Sequence, residues 1–382
     1  MKFLHLADLH IGKRVHGFSM LEDQAHILAQ ICTMAKENQV DAVLIAGDIY
    51  DKTIPVCEAV GLFDSFLTSL HQAGISVLAI SGNHDSPERL DFGGKLMQES
   101  NVWITGTFCD PLSCVTIPDA YGTVCFYFLP FVKPASVSSR YELKERTSQC
   151  AVQTVLEAQK IDSSKRNVLI AHQFVTAGGS LPERSDSEIL PVGGLDTVDA
   201  AVFTPFDYVA LGHIHRPQRI GRDTVRYAGS PLKYSFSEAR YPKTVPLVTM
   251  KEKGDIEIAL LPLTPLHEMR EVSGQFADIL SKESMQNGDP TDYLHITLTD
   301  EEELIDVFSR LQHSYPNLMK LDFDNRRMRT IGVTQQTEQM RKKSVLEQFD
   351  DFFEQVNGKP MNDSQREQVR RLWEGGVSDE AD

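Results

Sequence analysis

The chain has 382 residues, 41% hydrophobic and 24% charged, a globular composition with room for a sizeable buried core and more than one folding unit. Its formal charge of −16, from 54 acidic against 38 basic residues, excludes a surface coated in positive charge for non-specific phosphate binding. No apolar run approaches the ~20 residues that span a bilayer, and "MKFLHLADLH" lacks the apolar length of a signal peptide, so the chain reads as soluble and cytoplasmic, without a membrane.

Through about Leu263, short β-rich runs alternate with longer amphipathic stretches. Strands are predicted at 2–6 (KFLHL), 42–46 (AVLIA), 77–81 (VLAIS), 124–129 (VCFYFL), 168–171 (VLIA) and 208–211 (YVAL), with helices at 21–37, 57–72 and roughly 141–159. Near-continuous apolar strands separated by helices predict an α/β fold whose sheet is covered on both faces. Six scattered cysteines, none in a CxxC pair, read as incidental thiols. Two prolines in "LPLTPLHEM" (261–269) mark a change of unit. Beyond them "YLHITL", a helix over 301–313 with Thr299 or Asp300 as its N-cap, and "LMKLDF" predict a small α+β module.

After the polar tether "TQQTEQMRKK" comes a third element. Val345, Leu346, Phe349, Phe352, Phe353 and Val356 share one helical face, Ser344 and Glu347 form a capping box, and "NGKPMN" turns the chain into a second short helix carrying Val369, Leu372 and Trp373. Such a stripe suits packing on its own domain as well as docking a partner.

The chemistry gathers where strands end. The first runs into "ADLH" with Asp8 and His10, the second into "GDIYD" with Asp48 and Asp51, and the third into "GNHD" with Asn83, His84 and Asp85. The strand at 168–171 runs into His172, and that at 208–211 into His213 and His215. Ligands in open α/β sheets bind beyond the carboxyl ends of strands, so these loops are expected to face one cleft. The glycines before Asp48, Asn83 and His213 allow tight turns and close backbone approach. The donors are carboxylates, imidazoles and one amide without thiolate, which favours manganese, iron, magnesium or zinc. They are too many for one four-coordinate ion and suit two, about 3.5–4 Å apart as in two-metal enzymes, sharing a bridging carboxylate. The indicated reaction is metal-assisted phosphoester hydrolysis. His5, His16, His26, His71, His267, His295 and His313, with Tyr127 and Phe128, read as structural.

In order and type these motifs resemble the calcineurin-like metallophosphoesterase superfamily over about the first 230 residues, and within it the bacterial SbcD nuclease family. The run "RYAGSPLKYSFSEA" (226–239), the "LPLTPL" junction and the downstream module carry the narrower likeness. The resemblance implies a β-sandwich flanked by helices over 1–265, a DNA-capping α+β domain over 266–330, a linker at 331–343 and a helical hairpin over 344–376 that binds an ATPase partner. It implies that Asp8, His10, Asp48 and His215 hold one metal and Asp48, Asn83, His172 and His213 the other, with Mn²⁺ the expected ion and Mg²⁺ or Fe²⁺ its substitutes. His84 would be no ligand but would handle the scissile phosphate or leaving oxygen as a catalytic group. Asp51 stands where archaeal and eukaryotic relatives tend to have histidine. Asp85 either orients His84 by a hydrogen bond or is structural.

The family's partners would be DNA ends and hairpins and an SbcC-type coiled-coil ATPase, in a heterotetramer built on a homodimer of this subunit. It would be nucleoid-associated and serve repair, recombination and replication. Phe349, Phe352, Phe353, Leu372 and Trp373 would dock the ATPase; Arg216, Arg219 and Arg240, with Arg326, Arg327 and Arg329, are candidates for DNA phosphate. The competing reading is a nucleotide phosphodiesterase or phosphoprotein phosphatase of the same superfamily. Those phosphatases usually carry arginine after the second aspartate motif and GNHE; here Lys52 follows Asp51 and Asp85 ends the tetrad.

Overall fold

Each strand near the start of the chain feeds two apolar layers at once. In the computed structural model, which describes residues 1–188, 196–281, 288–302, 304–324, 349–350, 353, 360–362 and 364–369, the strands are β1 (Lys2–Leu6), β2 (Ala42–Ala46), β3 (Ser76–Ile80), β4 (Val102–Thr105), β5 (Cys114–Asp119), β6 (Gly122–Leu129), β7 (Arg166–His172), β8 (Tyr208–Gly212), β9 (Gln218–Ile220), β10 (Arg222–Tyr227), β11 (Thr244–Met250) and β12 (Ile256–Pro262). They form two six-stranded sheets, in spatial order β12-β11-β1-β2-β3-β4 and β9-β10-β8-β7-β6-β5. β1 through β4 are parallel to their neighbours in that set, as are β6, β7, β8 and β10 in theirs, and the outer strands run antiparallel.

Side chains alternate across a strand. Along β2, Leu44 faces the layer between the sheets, with Phe3, Phe126, Ile170 and Tyr208, while Val43 and Ile45 face outward. The outward layer is covered by α1 (Leu21–Glu37) through Ile27, Leu28 and Ile31 and by α2 (Cys57–Gln72) through Phe63, Phe66 and Leu70. On the far side, α3 (Ser148–Ala158) covers Leu169, Ala171, Val209 and Leu211. This explains the unbroken apolar runs: both faces of every central strand are buried. The two sheets form the β-sandwich flanked by helices that the resemblance implies.

Two helix boundaries differ from the expectation. The stretch expected over 141–159 is helical only at Ser148–Ala158, because Thr147 caps it, its side chain accepting from the Cys150 N–H at 3.2 Å. Tyr141 and Leu143 pack on the same core without helical backbone, which is what counterfeited the longer period. The helix expected over 301–313 is α4, Val307–Ser314, with Asp306 before it in left-handed backbone at φ 52°. Asp300 is no cap: its carboxylate accepts the Phe276 N–H at 2.8 Å.

The described chain divides into two compact units, one of Met1–Ser273, Ala277–Ile296 and Asp306–Leu321, the other of Gly274–Phe276, Thr297–Ile305 and the described part of 322–382. The strands β13 (Met269–Gly274), β14 (Tyr293–Leu298) and β15 (Leu318–Phe323), all but their last one or two residues in the first unit, form a small sheet with β14 central. Met269, Tyr293 and Met319 join the core beneath α1, and the Tyr293 hydroxyl donates to Asp23 on α1 at 2.7 Å. In the second unit, Arg366 pairs with Asp350 at 2.8 Å, and Asn362 and Gln365 exchange backbone N–H bonds at 3.0 and 2.9 Å, a reciprocal cap like that of a capping box. The expected tether 331–343 and the Ser344–Glu347 box lie outside the described residues. All six cysteines are free thiols, and no described helix is long and apolar enough to cross a membrane.

Candidate metal centre

β1, β2 and β3 end side by side in one sheet, and β7 and β8 in the other. Two bonds draw these edges together: the His213 N–H donates to Asp8 Oδ1 at 2.8 Å, and His172 Nδ1 pairs with the Ala46 carbonyl at 2.8 Å. The approach is close enough to require glycine. A Cβ on Gly82 would overlap the Asp48 carboxylate, and one on Gly212 would overlap the Ala46 carbonyl oxygen. Asp8, His10, Asp48 and His213 all have left-handed backbone, at φ 53°, 45°, 50° and 106°. Such strain in non-glycine residues gathers at functional sites, where the surrounding structure enforces it.

The side chains converge. Ligand-capable atoms lie within 4.8 Å of one another in three overlapping groups: Asp8, His10 and His215; Asp8, Asp48 and His172; and His10, Asp48 and His84. Asp48 Oδ2 is 3.6 Å from His10 Nε2 and 3.4 Å from His172 Nε2. Asn83 Oδ1 lies 3.0 Å from His172 Nε2 and 2.9 Å from His213 Nδ1, and the Nε2 atoms of His10 and His215 are 3.1 Å apart. Asp8, His10, Asp48, His172 and His215 are buried, whereas Asn83, His84 and His213 line the open side.

Hydrogen bonding on the far side of each ring tests whether cations fit. The carbonyl of Ala46 takes the proton of His172 Nδ1, which leaves a lone pair on Nε2 facing the acceptor Oδ1 of Asn83. Asp8 Oδ2 and His10 Nδ1 are buried without a hydrogen-bond partner. Acceptors aimed at acceptors, with orphaned buried donors and carboxylates, are what a cation would satisfy. The residues fit divalent metal.

In the metal-free protein, protons take that place. Burial raises Asp8 to about 7 against the pull of His172 and His215. Burial alone would lower His172, but the carboxylates of Asp48 and Asp8 outweigh it and raise the ring to about 9. Burial, reinforced by His172, lowers His213 to about 3, and burial holds His10 well below the imidazole range. Below about pH 7 Asp8 is protonated and a poor ligand, so cation affinity should be lost as pH falls through that value. Calorimetric titration of Mn²⁺ should show tighter binding at about pH 8 than at about pH 6, and an enthalpy that tracks the buffer's ionisation heat with about one to two protons released. An enthalpy independent of buffer would contradict this.

His84 stands beside this cluster. Its Nδ1 pairs with the Asp51 carbonyl at 2.9 Å and its N–H donates to Asp48 Oδ1 at 2.9 Å, so Nε2 is its free nitrogen. The Asp51 carboxylate receives Lys13 at 2.7 Å and lies 3.6 Å from His10. Asp85 does not orient His84: its oxygens accept the N–H groups of Ile49, Tyr50 and Gly82 at 3.1, 2.9 and 2.9 Å, clamping two loops together. His5 is a satisfied core histidine, 3.0 Å from the Tyr208 hydroxyl and 3.2 Å from the Leu211 carbonyl.

The other expected residues lie elsewhere. Arg216, Arg219 and Arg240 pair with Glu183, Asp223 and Glu271 respectively. Phe349 is exposed and Phe353 half-buried; Phe352, Leu372, Trp373, Arg326, Arg327 and Arg329 lie outside the described residues. Sequence reasoning missed Lys13 at Asp51, Phe131 stacked on His213 with ring centroids 6.4 Å apart, and Ser187, Glu188, Glu238 and Lys243 around His215. Only Glu238 had a signal, as part of "YSFSEA".

A two-sheet sandwich with acids, imidazoles and an amide at its strand ends defines a metal-dependent phosphoesterase. The family model for calcineurin-like phosphoesterases matches residues 1–217, and the chain belongs to that family. Over 97% of its length, and 98% of the relative's, it is 32% identical to the SbcD subunit of the SbcCD nuclease of Staphylococcus epidermidis, and it is a homologue of that nuclease subunit. A second family model, described as the type 5 capsule protein repressor C-terminal domain, matches residues 265–357. Among solved structures, a dimetal phosphatase from Danio rerio aligns with 69% of this chain and 99% of its own at 14% identity and a TM-score of 0.39.

Proposed function

We propose that this chain is the nuclease subunit of an SbcCD-type complex and hydrolyses DNA phosphodiester bonds at double-strand ends and hairpins. The observation that carries the reading is the convergence of ligand atoms at Asp48 and Asn83: Asp48 Oδ2 lies 3.6 and 3.4 Å from Nε2 of His10 and His172, and Asn83 Oδ1 lies 3.0 and 2.9 Å from His172 Nε2 and His213 Nδ1. Asp8, His10, Asp48 and His215 would hold one cation and Asp48, Asn83, His172 and His213 the other, with Mn²⁺ suited to oxygen and nitrogen donors. Two such ions supply positive charge that activates water and neutralises a phosphate. The protein's own part is to hold these donors rigid from strand ends and to offer His84. With its Nδ1–H donated to the Asp51 carbonyl, His84 keeps Nε2 for substrate, and as the imidazolium it would protonate a leaving oxygen or donate Nε2–H to a phosphate oxygen.

DNA would be drawn to exposed arginines, since exposed ion pairs such as Arg219–Asp223 are weak and exchange readily for phosphate. The module over 266–330 would cap the duplex and the helical hairpin would dock a coiled-coil ATPase, placing the complex on the nucleoid in the cytoplasm. A second copy of the chain would cover the apolar surface beside the Asp48 loop. There Val60 and Phe92 line a cleft of about 770 Å³, and Phe92 and Leu96 are 84% and 74% exposed. Phe92→Asp should convert the dimer to monomer in sedimentation; an unchanged mass would place the dimer contact elsewhere.

The direct test is cleavage of a linear duplex and a hairpin with Mn²⁺, with and without the ATPase. Cleavage of both DNAs, lost with chelator, is expected. Equal activity on nucleotide monoesters with no preference for DNA would favour the small-substrate alternative. Phe349→Asp with Phe353→Asp should abolish co-purification with the ATPase and leave Mn²⁺-dependent cleavage by the free subunit intact. Loss of that cleavage would mean the stripe is core.

A further inference from the structure

The stretch Tyr227–Lys243 follows the paired histidines, and the function above leaves most of it unused. Its acidic and basic members are buried together. Glu238 is fully buried and Lys243 4% exposed; Lys243 Nζ donates to Glu238 Oε2 at 2.5 Å, to Ser230 Oγ at 2.8 Å and to the His215 carbonyl at 2.8 Å. The other Glu238 oxygen, Oε1, accepts from Ser187 Oγ at 2.7 Å, with the Tyr234 N–H and Ser235 Oγ both at 3.3 Å. Ser187 Oγ is in turn 2.7 Å from His215 Nδ1 and 2.8 Å from Ser185 Oγ.

Counting protons along this chain assigns a direction. Glu238 is surrounded by donors and acts as acceptor only, so it takes the single Ser187 hydroxyl proton. Ser187 Oγ must then accept from His215, which places the ring proton on Nδ1. Nε2 is left with its lone pair facing His10 and the metal centre. A buried ion pair is no assurance of stability, since desolvation offsets attraction. Rings that hold metals commonly owe their tautomer and orientation to an acidic or carbonyl partner behind them.

We propose that Glu238, fixed by Lys243, is a positioning residue that acts through Ser187 to set the tautomer of His215 and so its capacity to hold a metal ion. The inference rests on the metal-centre reading above. Glu238→Gln can donate to Ser187 and reverse the relay, pushing the proton to Nε2; Ser187→Ala interrupts the relay while leaving the Glu238–Lys243 pair in place, which guards against a mere folding defect.

The test is Mn²⁺ titration followed by electron paramagnetic resonance, together with ¹⁵N spectra of histidine-labelled, metal-free protein. Both variants should bind one ion as the unsubstituted protein does and the other about 10–100-fold more weakly. The His215 signal should report Nδ1–H in the unsubstituted protein and Nε2–H in Glu238→Gln. Two ions bound with unchanged affinity in both variants, or an unchanged His215 tautomer in Glu238→Gln, would overturn the proposal. Failure of the unsubstituted protein to bind Mn²⁺ at all would instead overturn the metal-centre reading, and the metal-free spectra would still judge the relay.

Discussion

Asp48→Ala should abolish uptake of both cations and, with them, DNA cleavage. Asp48 belongs to two of the three candidate ligand groups, lying between His10 and His172 at 3.6 and 3.4 Å. Burial would push its carboxyl up, yet His172 and His10 outweigh this and keep it ionised well below the carboxylate range, so it is charged whenever the site is competent. The same carboxylate accepts the His84 backbone N–H, and its loss also frees the loop that carries His84. The rate should therefore fall by more than the roughly 10²–10³-fold that removal of one preorganised electrostatic donor costs. Asp48→Asn keeps an acceptor for His84 and removes the charge, so a similar loss in both variants would assign the effect to the charge. Metal content by mass spectrometry decides the matter. Two ions per chain in Asp48→Ala would remove Asp48 from its bridging place.

His84→Gln should separate chemistry from metal binding. Glutamine can keep a bond to the Asp51 carbonyl but cannot deliver a proton near neutral pH. Cleavage should fall about 10²–10⁴-fold, the range of a positioned acid or base, while both ions stay bound. Metal content is the deciding readout, because an atom of His84 lies within 4.8 Å of the ligand atoms of His10 and Asp48. Loss of an ion in His84→Gln would move the residue into the ligand set.

Much of this site was legible because its residues sit where strands stop. Helices Leu21–Glu37 and Cys57–Gln72 and strand Ala42–Ala46 fall where periodicity put them, since each buries a regular face. Strands Lys2–Leu6, Tyr293–Leu298 and Leu318–Phe323 also fall where expected, while the edges of four others shift by one or two residues, as at Ser76–Ile80 and Arg166–His172, where backbone pairing extends beyond the apolar run. The helix expected over 301–313 begins only at Val307, because Asp300 and Thr299 serve tertiary contacts, with Phe276 and Gly274, that no local pattern encodes. Within the site, side-chain chemistry was readable and backbone strain was not. Nothing in "ADLH" announces that both Asp8 and His10 adopt left-handed φ. Most residues behind the ligands were hidden, because Lys13 and Ser187 reach the centre from segments with no motif of their own; Ser187 lies 28 residues from His215 in sequence.

The most direct measurement is anomalous diffraction from a crystal soaked in Mn²⁺. Two peaks are expected about 3.5–4 Å apart, with Asp48 touching both. Empty density amid these side chains, or a lone ion that Asp48 does not touch, would contradict the claim that five strand ends cage a pair of cations.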